Sequence, residues 1–279
     1  MKKIYVIATP IGDLKEVSEK AISAFIEVEI MFCEDTRNTK KLLSLLNIDF
    51  KNKTFISSNG FNEKSRVESF VFEDKIYGIV SDAGYPLISD PGYLIVQKAY
   101  QEKIKIEIVN GPCSINHALM LCGYPINNFY FNGFLSKNKN EALKKLNELK
   151  TINTVLVIFE SVHNLLNTLK LISDVFGKDK QICVCRELSK MNETIYKDTY
   201  DNLIEQITLK GEFVIVINNT LQKTKDKENE IDYLSFHNEV KLLVKQGHKE
   251  KDACKLVAYK FDISSNKLFN SLQQKKNIV

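Results

Sequence analysis

The chain has 279 residues, of which 44% are hydrophobic, and a net charge of +4. This length accommodates two domains with substantial cores, and no apolar run approaches the length of a membrane span. The six cysteines form no Cys-x-x-Cys pair, which argues against a zinc site and favours the reduced thiols of a cytoplasmic protein. After Thr220 the chain carries 12 Lys against 8 Asp and Glu, so the positive excess lies there. Such a basic tail is typical of nucleic-acid binding, although ordinary solvated surface charge explains the same excess of positive charge equally well.

Short apolar runs alternate with helical patterns through residues 1–122. Buried strands are predicted at 3–8, 27–33, 54–57, 75–80 and 105–109. Helical patterns separate these runs, including a polar one at 62–72. Because regular alternation of strand and helix builds parallel βαβ units, this part of the chain is predicted to be an N-terminal α/β domain with a parallel-type sheet.

Residues 123–220 also mix strands and helices, but here strand follows strand more often. Strands are predicted at 129–135, 154–159, 181–185, 193–199 and 212–217. The pattern predicts a C-terminal α/β domain with a mixed sheet.

The tail, residues 221–279, is predicted to be a polar linker followed by a small helical extension. The stretch 218–230 has no apolar periodicity, and helical patterns follow at 231–246, at 249–259 and after Ser264. The last two patterns are compatible with a helix-turn-helix that binds RNA. A bundle that stabilises a dimer or the body of the protein explains them equally well.

The stretch 81–92 is unusually rich in Gly, Pro and Asp, and it lies between a predicted strand and a predicted helix. It reads Ser-Asp-Ala-Gly-Tyr-Pro-Leu-Ile-Ser-Asp-Pro-Gly. Glycine adopts positive φ freely and proline fixes φ, so a rigid, tightly bent loop is expected. Residues 10–13 and 111–114 end two other predicted strands. Parallel strands bring such loops to one edge of a sheet, where ligands bind. The Rossmann and P-loop fingerprints are absent, which argues against NAD or ATP bound in the usual way.

Several motifs together resemble one known family. Besides residues 81–92, they are Thr9-Pro10-Ile11-Gly12-Asp13-Leu14, Glu34-Asp35-Thr36-Arg37, Gly133-Phe134-Leu135 and Arg186-Glu187-Leu188-Ser189-Lys190. They are similar to motifs of the ribosomal RNA small subunit methyltransferase I family, a branch of the tetrapyrrole-methylase-like (class III) S-adenosylmethionine-dependent methyltransferases. The resemblance runs from about residue 3 to residue 218, and the helical tail also resembles the family's C-terminal extension. The sequence departs from the family pattern at Asn110, Cys113, Ser114, Val162, Asn164 and Ser189.

The resemblance implies a homodimer with S-adenosylmethionine in the cleft between its two α/β domains. It also implies 2′-O-methylation of a cytidine in the decoding region of small-subunit ribosomal RNA, on naked RNA or on the assembled small ribosomal subunit. Two other functions stay open. One is a tetrapyrrole (precorrin) C-methyltransferase of the same superfamily, and the other is a non-catalytic RNA-binding factor for ribosome assembly.

The resemblance also assigns site residues. The residues expected to bind the cofactor are Pro10, Ala83, Gly84, Tyr85, Ile88, Cys113, Ser114, Glu160 and Leu188. The catalytic candidates are Asp35, Arg37, Glu187 and Lys190. In this hypothesis Arg37, Arg186 and Lys190 contact RNA, and Asp35 or Glu187 lies near the reacting hydroxyl.

Each of these assignments has a structural alternative. Asp35 is a suitable helix cap, and Arg37 then pairs with an acid. Arg186 and Lys190 can pair internally with Glu187 or Glu193 instead of with phosphate. Asp82 and Asp90 are expected to brace their own loop, as Asp commonly does in turns, and the alternative is that one of them faces the substrate.

Overall fold

The computed structural model describes residues 2–58, 67–220, 232–261 and 263–276. Residues 62–66 of the predicted polar helix at 62–72 lie outside these ranges, and so do residues 221–230 of the predicted linker at 218–230. The chain divides into two compact units, Met1–Thr220 and Leu221–Val279.

The first sheet of the larger unit is parallel throughout. Its strands are β1 (Lys3–Ile7), β2 (Ile30–Cys33), β3 (Thr54–Ser57), β4 (Ile76–Val80) and β5 (Lys105–Val109), in the order β3-β2-β4-β1-β5. The helices are α1 (Glu19–Glu27), α2 (Thr36–Leu45), α3 (Tyr93–Gln101) and α4 (Ser114–Leu121). The predicted parallel α/β architecture is confirmed.

Burial on both faces of this sheet explains the continuous apolar runs in its strands. In β1, Tyr5 and Ile7 contribute to one core, whereas Ile4 and Val6 contribute to a second core on the opposite face. The strand order places β4, β1 and β5 side by side. As a result, the loops that follow these three strands meet at one edge of the sheet.

The second sheet is mixed, as predicted. Its strands are β6 (Phe129–Phe134), β7 (Val155–Ser161), β8 (Ile182–Arg186), β9 (Thr194–Asp198) and β10 (Glu212–Asn218), in the order β6-β7-β10-β8-β9. Only the β6–β7 pair is parallel. The helices here are α5 (Lys139–Lys150), α6 (Leu165–Phe176) and α7 (Tyr200–Gln206).

The two faces of the second sheet pack against different partners. One face forms a core with apolar residues of α5, α6 and α7. The other face packs against Ile11 and against Ile115, Ala118 and Leu119 of α4. This second contact joins the two halves of the larger unit at the edge where the loops of the first sheet meet.

The smaller unit contains a 3-10 turn (Tyr233–Phe236) and the helices α8 (His237–Lys245), α9 (Glu250–Phe261) and α10 (Ser265–Lys276). Val240, Val257 and Leu268 are among the residues of its small core. The helix predicted at 231–246 begins later than expected, because the carboxylate of Asp232 accepts from Leu234 N and caps a 3-10 turn first. Across the described ranges, no helix is both long and apolar enough to cross a membrane.

Candidate functional site

A pocket with a volume of about 430 Å³ lies between the two sheets of the larger unit. Loops after β1, β2, β4 and β5 supply one side, and the ends of strands in the second sheet supply the other. Of the nine residues expected to bind a cofactor, eight line the pocket: Ala83, Gly84, Tyr85, Ile88, Cys113, Ser114, Glu160 and Leu188. Pro10 is absent from the described lining, although its neighbour Ile11 belongs to it.

Main-chain hydrogen bonds tie the loops of the first sheet together. Thr9 N donates to Gly84 O at 2.8 Å, and Gly84 N donates back to Thr9 O at 3.2 Å. Gly84 has a φ of +78°, which glycine adopts without strain. The hydroxyl of Tyr85 donates to Asn110 Oδ1 and accepts from Gly111 N at 3.1 Å. These contacts hold the loops after β1, β4 and β5 as one rigid wall.

The two sides of the pocket touch directly at Gly12. A Cβ atom on Gly12 would lie 2.5 Å from Lys190 Cγ and 2.6 Å from the carbonyl carbon of Ser189. Nearby, Ser189 Oγ donates to Glu16 Oε1 at 2.9 Å, so the 3-10 turn after β1 is also joined to the β8–β9 loop. Ile11 and Leu188, which line the pocket, are the neighbours of these contacting residues.

The charged side chains that line the pocket, within the described part of the chain, are all carboxylates. They belong to Glu34, Asp82, Asp90, Glu160 and Glu212. Burial, together with the nearby carboxylate of Glu34, raises the pKa of Asp90 to about 6. Burial also raises the pKa of Glu34, although Asp82 N donates to its Oε2 at 3.1 Å. Such a pocket favours a positively charged ligand.

Known proteins are similar to this chain in sequence and in fold. A family model described as tetrapyrrole (corrin/porphyrin) methylases matches residues 3–204. The ribosomal RNA small subunit methyltransferase I of Mycoplasma pneumoniae is 42% identical over 274 residues, covering 96% of this chain and 98% of that protein. The protein of the same name from Thermotoga maritima is 36% identical over 223 residues, covering 78% of this chain and 98% of that protein. The chain belongs to the tetrapyrrole methylase family. Within this family it falls in the ribosomal RNA small subunit methyltransferase I branch.

A solved structure of another tetrapyrrole methylase has the same fold. Uroporphyrin-III-C-methyltransferase from Thermus thermophilus matches with a TM-score of 0.54, over 78% of this chain and 96% of that one. The two sequences are only 14% identical, so this likeness concerns the fold alone.

Asp35 and Arg37 lie outside the pocket lining and contact each other. Asp35 Oδ1 accepts from Arg37 N at 2.8 Å and so caps α2, while its Oδ2 accepts from Arg37 Nη2 at 2.6 Å. The hydrogen bonds from the Arg37 guanidinium and main chain lower the pKa of Asp35 to about 2. The side chain of Arg37 is 88% exposed. Asp35 therefore caps α2 and pairs with Arg37, which is the structural alternative given above for these two residues.

Glu187 and Lys190 also lie outside the pocket lining, in an internal network. Lys190 Nζ donates to Glu187 Oε1 and to Glu212 Oε2, both at 2.9 Å. Burial alone would raise the pKa of Glu187, but the bonds from Lys190 and from Glu212 N outweigh it and lower that pKa. Arg186 is buried, and its guanidinium donates to the carbonyls of Lys210 and Asn192. These groups hold the loop that carries Leu188.

The pocket lining also includes Glu34, Asp90, Phe134 and Phe159, for which the sequence predicted no cofactor contact. Glu34 is the first residue after β2. Its position at the carboxyl end of a parallel strand was therefore a sequence signal for a pocket residue. Asp82 braces its surroundings, since its carboxylate accepts from Asp35 N and from Asn38 Nδ2 at 2.7 Å. Asp90, in contrast, lies in the pocket wall. Among the described residues, no group of three His, Cys, Asp or Glu side chains is placed to hold a metal ion.

Asp90→Asn is expected to stabilise the fold at pH 8 but not at pH 4. The native state raises the pKa of Asp90 to about 6 and therefore binds a proton more tightly than the unfolded chain. Its ionisation costs stability progressively as the pH rises from about 4 to about 6. Removing the charge should add about 1 kcal/mol at pH 8, a figure reduced for partial solvent exposure. Urea unfolding at both pH values measures this difference.

Glu27→Gln provides a control of opposite sign. The pKa of Glu27 is lowered by hydrogen bonds from Lys3 and Tyr5. Its charged form therefore stabilises the fold above the ordinary pKa, and the stabilisation is lost as the pH falls. The substitution should destabilise the protein at pH 8. Equal effects of pH on both variants would contradict the assignment for Asp90.

Proposed function

We propose that the chain transfers a methyl group from S-adenosylmethionine to the ribose 2′-hydroxyl of a cytidine in the decoding region of small-subunit ribosomal RNA. Relatives named ribosomal RNA small subunit methyltransferase I, at up to 42% identity over 96% of this chain, support the substrate class. The observation that carries the proposal is the carboxylate-lined pocket between the two sheets. In this proposal the protein acts in the cytoplasm as a homodimer, on naked RNA or on the assembled small subunit.

The pocket residues fit S-adenosylmethionine. A volume of about 430 Å³ lies within the usual range for sites that bind a small molecule. The apolar side chains of Leu188 and Val214 suit the adenine, and the carboxylates suit a ligand with a sulfonium and an ammonium group. The cofactor would be held by seven of the eight lining residues named above, next to the loop that contains Pro10, while Ile88, which is 45% exposed, stays available to the substrate. When bound, it supplies an activated methyl group.

Glu160 would act by shaping the wall, because its carboxylate is already engaged. Its Oε1 accepts from Ser161 N at 2.8 Å, and its Oε2 accepts from Thr168 Oγ1 at 2.5 Å. Asn164 Nδ2 donates to the same Oε2 at 3.3 Å. Asn164, one of the departures from the family pattern, therefore joins the end of β7 to the start of α6.

The reaction needs an acceptor for the proton of the 2′-hydroxyl. Asp90 suits this role, because it lines the pocket and its pKa is raised to about 6, so that it is mostly ionised at neutral pH yet basic enough to accept a proton. For the four catalytic candidates we propose positioning roles. Asp35 and Arg37 would hold the start of α2 beside Glu34, and Glu187 and Lys190 would hold Leu188 in the opposite wall.

Methyl transfer from labelled S-adenosylmethionine tests the proposal. The substrates are small ribosomal subunits lacking the modification, naked small-subunit RNA and a tetrapyrrole. We expect label in at least one ribosomal substrate, at a position that resists alkaline cleavage because methylation blocks the attacking 2′-oxygen. Label only in the tetrapyrrole would overturn the RNA assignment. Cofactor binding by calorimetry without transfer to any substrate would favour a non-catalytic factor.

A further inference from the structure

Two apolar side chains in the pocket lining remain open to solvent. Phe134, at the end of β6, is 57% exposed, and Ile88, in the loop after β4, is 45% exposed. They come from opposite halves of the larger unit. Their chain neighbours lie close together, since a Cβ atom on Gly133 would be 3.8 Å from Ser89 Oγ. We propose that Phe134 and Ile88 form an apolar cleft that receives the base of an unpaired RNA nucleotide, with the Phe134 ring as its stacking surface.

A β-bulge turns Phe134 toward the pocket. Phe131 pairs with Val157 and Phe134 pairs with Phe159, with a register shift between Phe131 and Gly133. Residues three apart on a regular strand point to opposite faces, so without the extra residue Phe134 would face away from Phe131. The bulge puts both rings on the same face of the sheet, and bulges commonly re-aim a side chain beside a functional site. Gly133 accommodates the bend with a φ of +71°.

The ring of Phe159 contacts the ring of Phe134 edge-to-face and does not stack on it. The two ring centroids lie 5.6 Å apart, with an interplanar angle of 63°. Phe159 in turn meets Phe131 edge-on at 4.8 Å. An edge-to-face contact engages at most one face of a ring, so the Phe134 ring, which is 57% exposed, keeps a face available for stacking on a base.

The charge of the pocket selects which part of an RNA enters it. The carboxylates of Glu34, Asp82 and Asp90 line the same pocket and repel phosphate. A base and its ribose carry no charge, and the amino group of cytosine can donate to a carboxylate. The backbone phosphates would then stay outside. This inference rests on the proposed function and adds the subsite that binds the target base.

Tryptophan fluorescence can report on this cleft directly, because the chain contains no tryptophan. Phe134→Trp would place a single indole at the proposed stacking position. We expect an unpaired RNA oligonucleotide, which contains no tryptophan, to quench its emission in a saturable way. Phe129→Trp is the matched control, since Phe129 lies on the same strand, is 46% exposed and is absent from the pocket lining. Its emission should not change.

S-adenosylhomocysteine alone provides the decisive comparison. It should leave the emission of the Phe134→Trp variant unchanged. If it quenches that emission as fully as RNA does, Phe134 belongs to the cofactor site and the inference is wrong. Quenching of both tryptophan variants by RNA would indicate binding along the whole strand and would also overturn the inference.

Kinetics separate this inference from the proposed function. Phe134→Ala should raise the KM for the RNA substrate about 10-fold while the Kd for S-adenosylmethionine changes less than about 2-fold. Phe134→Tyr, which keeps an aromatic face, should restore the wild-type KM. If the wild-type protein methylates RNA and Phe134→Ala leaves KM unchanged, only this inference fails. If the wild-type protein methylates no RNA, the proposed function itself fails.

Discussion

Replacing Gly12 with alanine is expected to weaken cofactor binding about 10-fold or more. The new Cβ atom would lie 2.6 Å from the carbonyl carbon and 2.7 Å from the carbonyl oxygen of Ser189. These are main-chain atoms, and Ser189 already has a left-handed φ of +59°, so the loop has little freedom to move aside. The loops that carry Ile11 and Leu188 would be forced apart, which widens the pocket. Overpacking of this kind also costs about 1–3 kcal/mol of stability.

Gly177→Ala is the control for Gly12→Ala. Gly177 has a φ of +108°, and a Cβ atom there would meet nothing within 4 Å. Alanine at this position therefore strains the backbone at a site that is not part of the pocket lining. It should lower the free energy of unfolding and leave the Kd for S-adenosylmethionine unchanged. Calorimetric titration and thermal unfolding of both variants make the comparison, and a wild-type Kd for Gly12→Ala would refute the steric argument.

The sheet architecture followed from local patterns in the sequence. Strands that are buried on both faces must be apolar along their whole length, so β1, β2 and β4 were recognisable as short runs such as Ile76–Val80. The loops after β1, β4 and β5 were recognisable by their Gly and Pro content. Because parallel strands align their carboxyl ends, the meeting of these loops at one edge also followed from the sequence.

The roles of individual charged residues did not follow, because each depends on contacts that form only in the folded chain. Asp35 has a suitable position at the end of a strand, but the cap of α2 and the bond to Arg37 engage its oxygens. Glu187 meets Glu212 N across 25 residues of sequence, beside Gly211, where any Cβ atom would collide with the carboxylate. A local motif does not reveal such a partner.

The direction of a side chain was equally inaccessible in β6. Aromatic residues recur from Phe129 onward, and this pattern favours a strand without giving the face on which each ring lies. One extra residue between Phe131 and Gly133 changes the face to which Phe134 belongs. A bulge depends on pairing with the neighbouring strand, so the strand's own sequence does not specify it. The carboxylate lining likewise emerged only when loops distant in sequence were assembled around one pocket.

That lining leads to the second large effect: Glu34→Lys is expected to raise the Kd for S-adenosylmethionine more than about 100-fold. At an effective dielectric constant of about 20, unit charges about 10 Å apart interact by about 1.7 kcal/mol, and each 1.4 kcal/mol is a factor of ten. The substitution replaces attraction for a cationic ligand by repulsion. Glu34→Gln keeps an oxygen that can accept from Asp82 N and loses only the charge, so about a 10-fold rise is expected.

Two comparisons identify charge as the cause of the Glu34 effect. S-adenosylhomocysteine lacks the sulfonium charge, so Glu34→Gln should weaken its binding less than that of S-adenosylmethionine when both are titrated at pH 8. Glu102→Lys makes the same change in net charge at an exposed position after α3, outside the pocket lining, and should bind both ligands normally. Equal losses for the two ligands in Glu34→Gln would mean that Glu34 acts by holding the loop at Asp82. The carboxylates would then shape the pocket rather than select a cation.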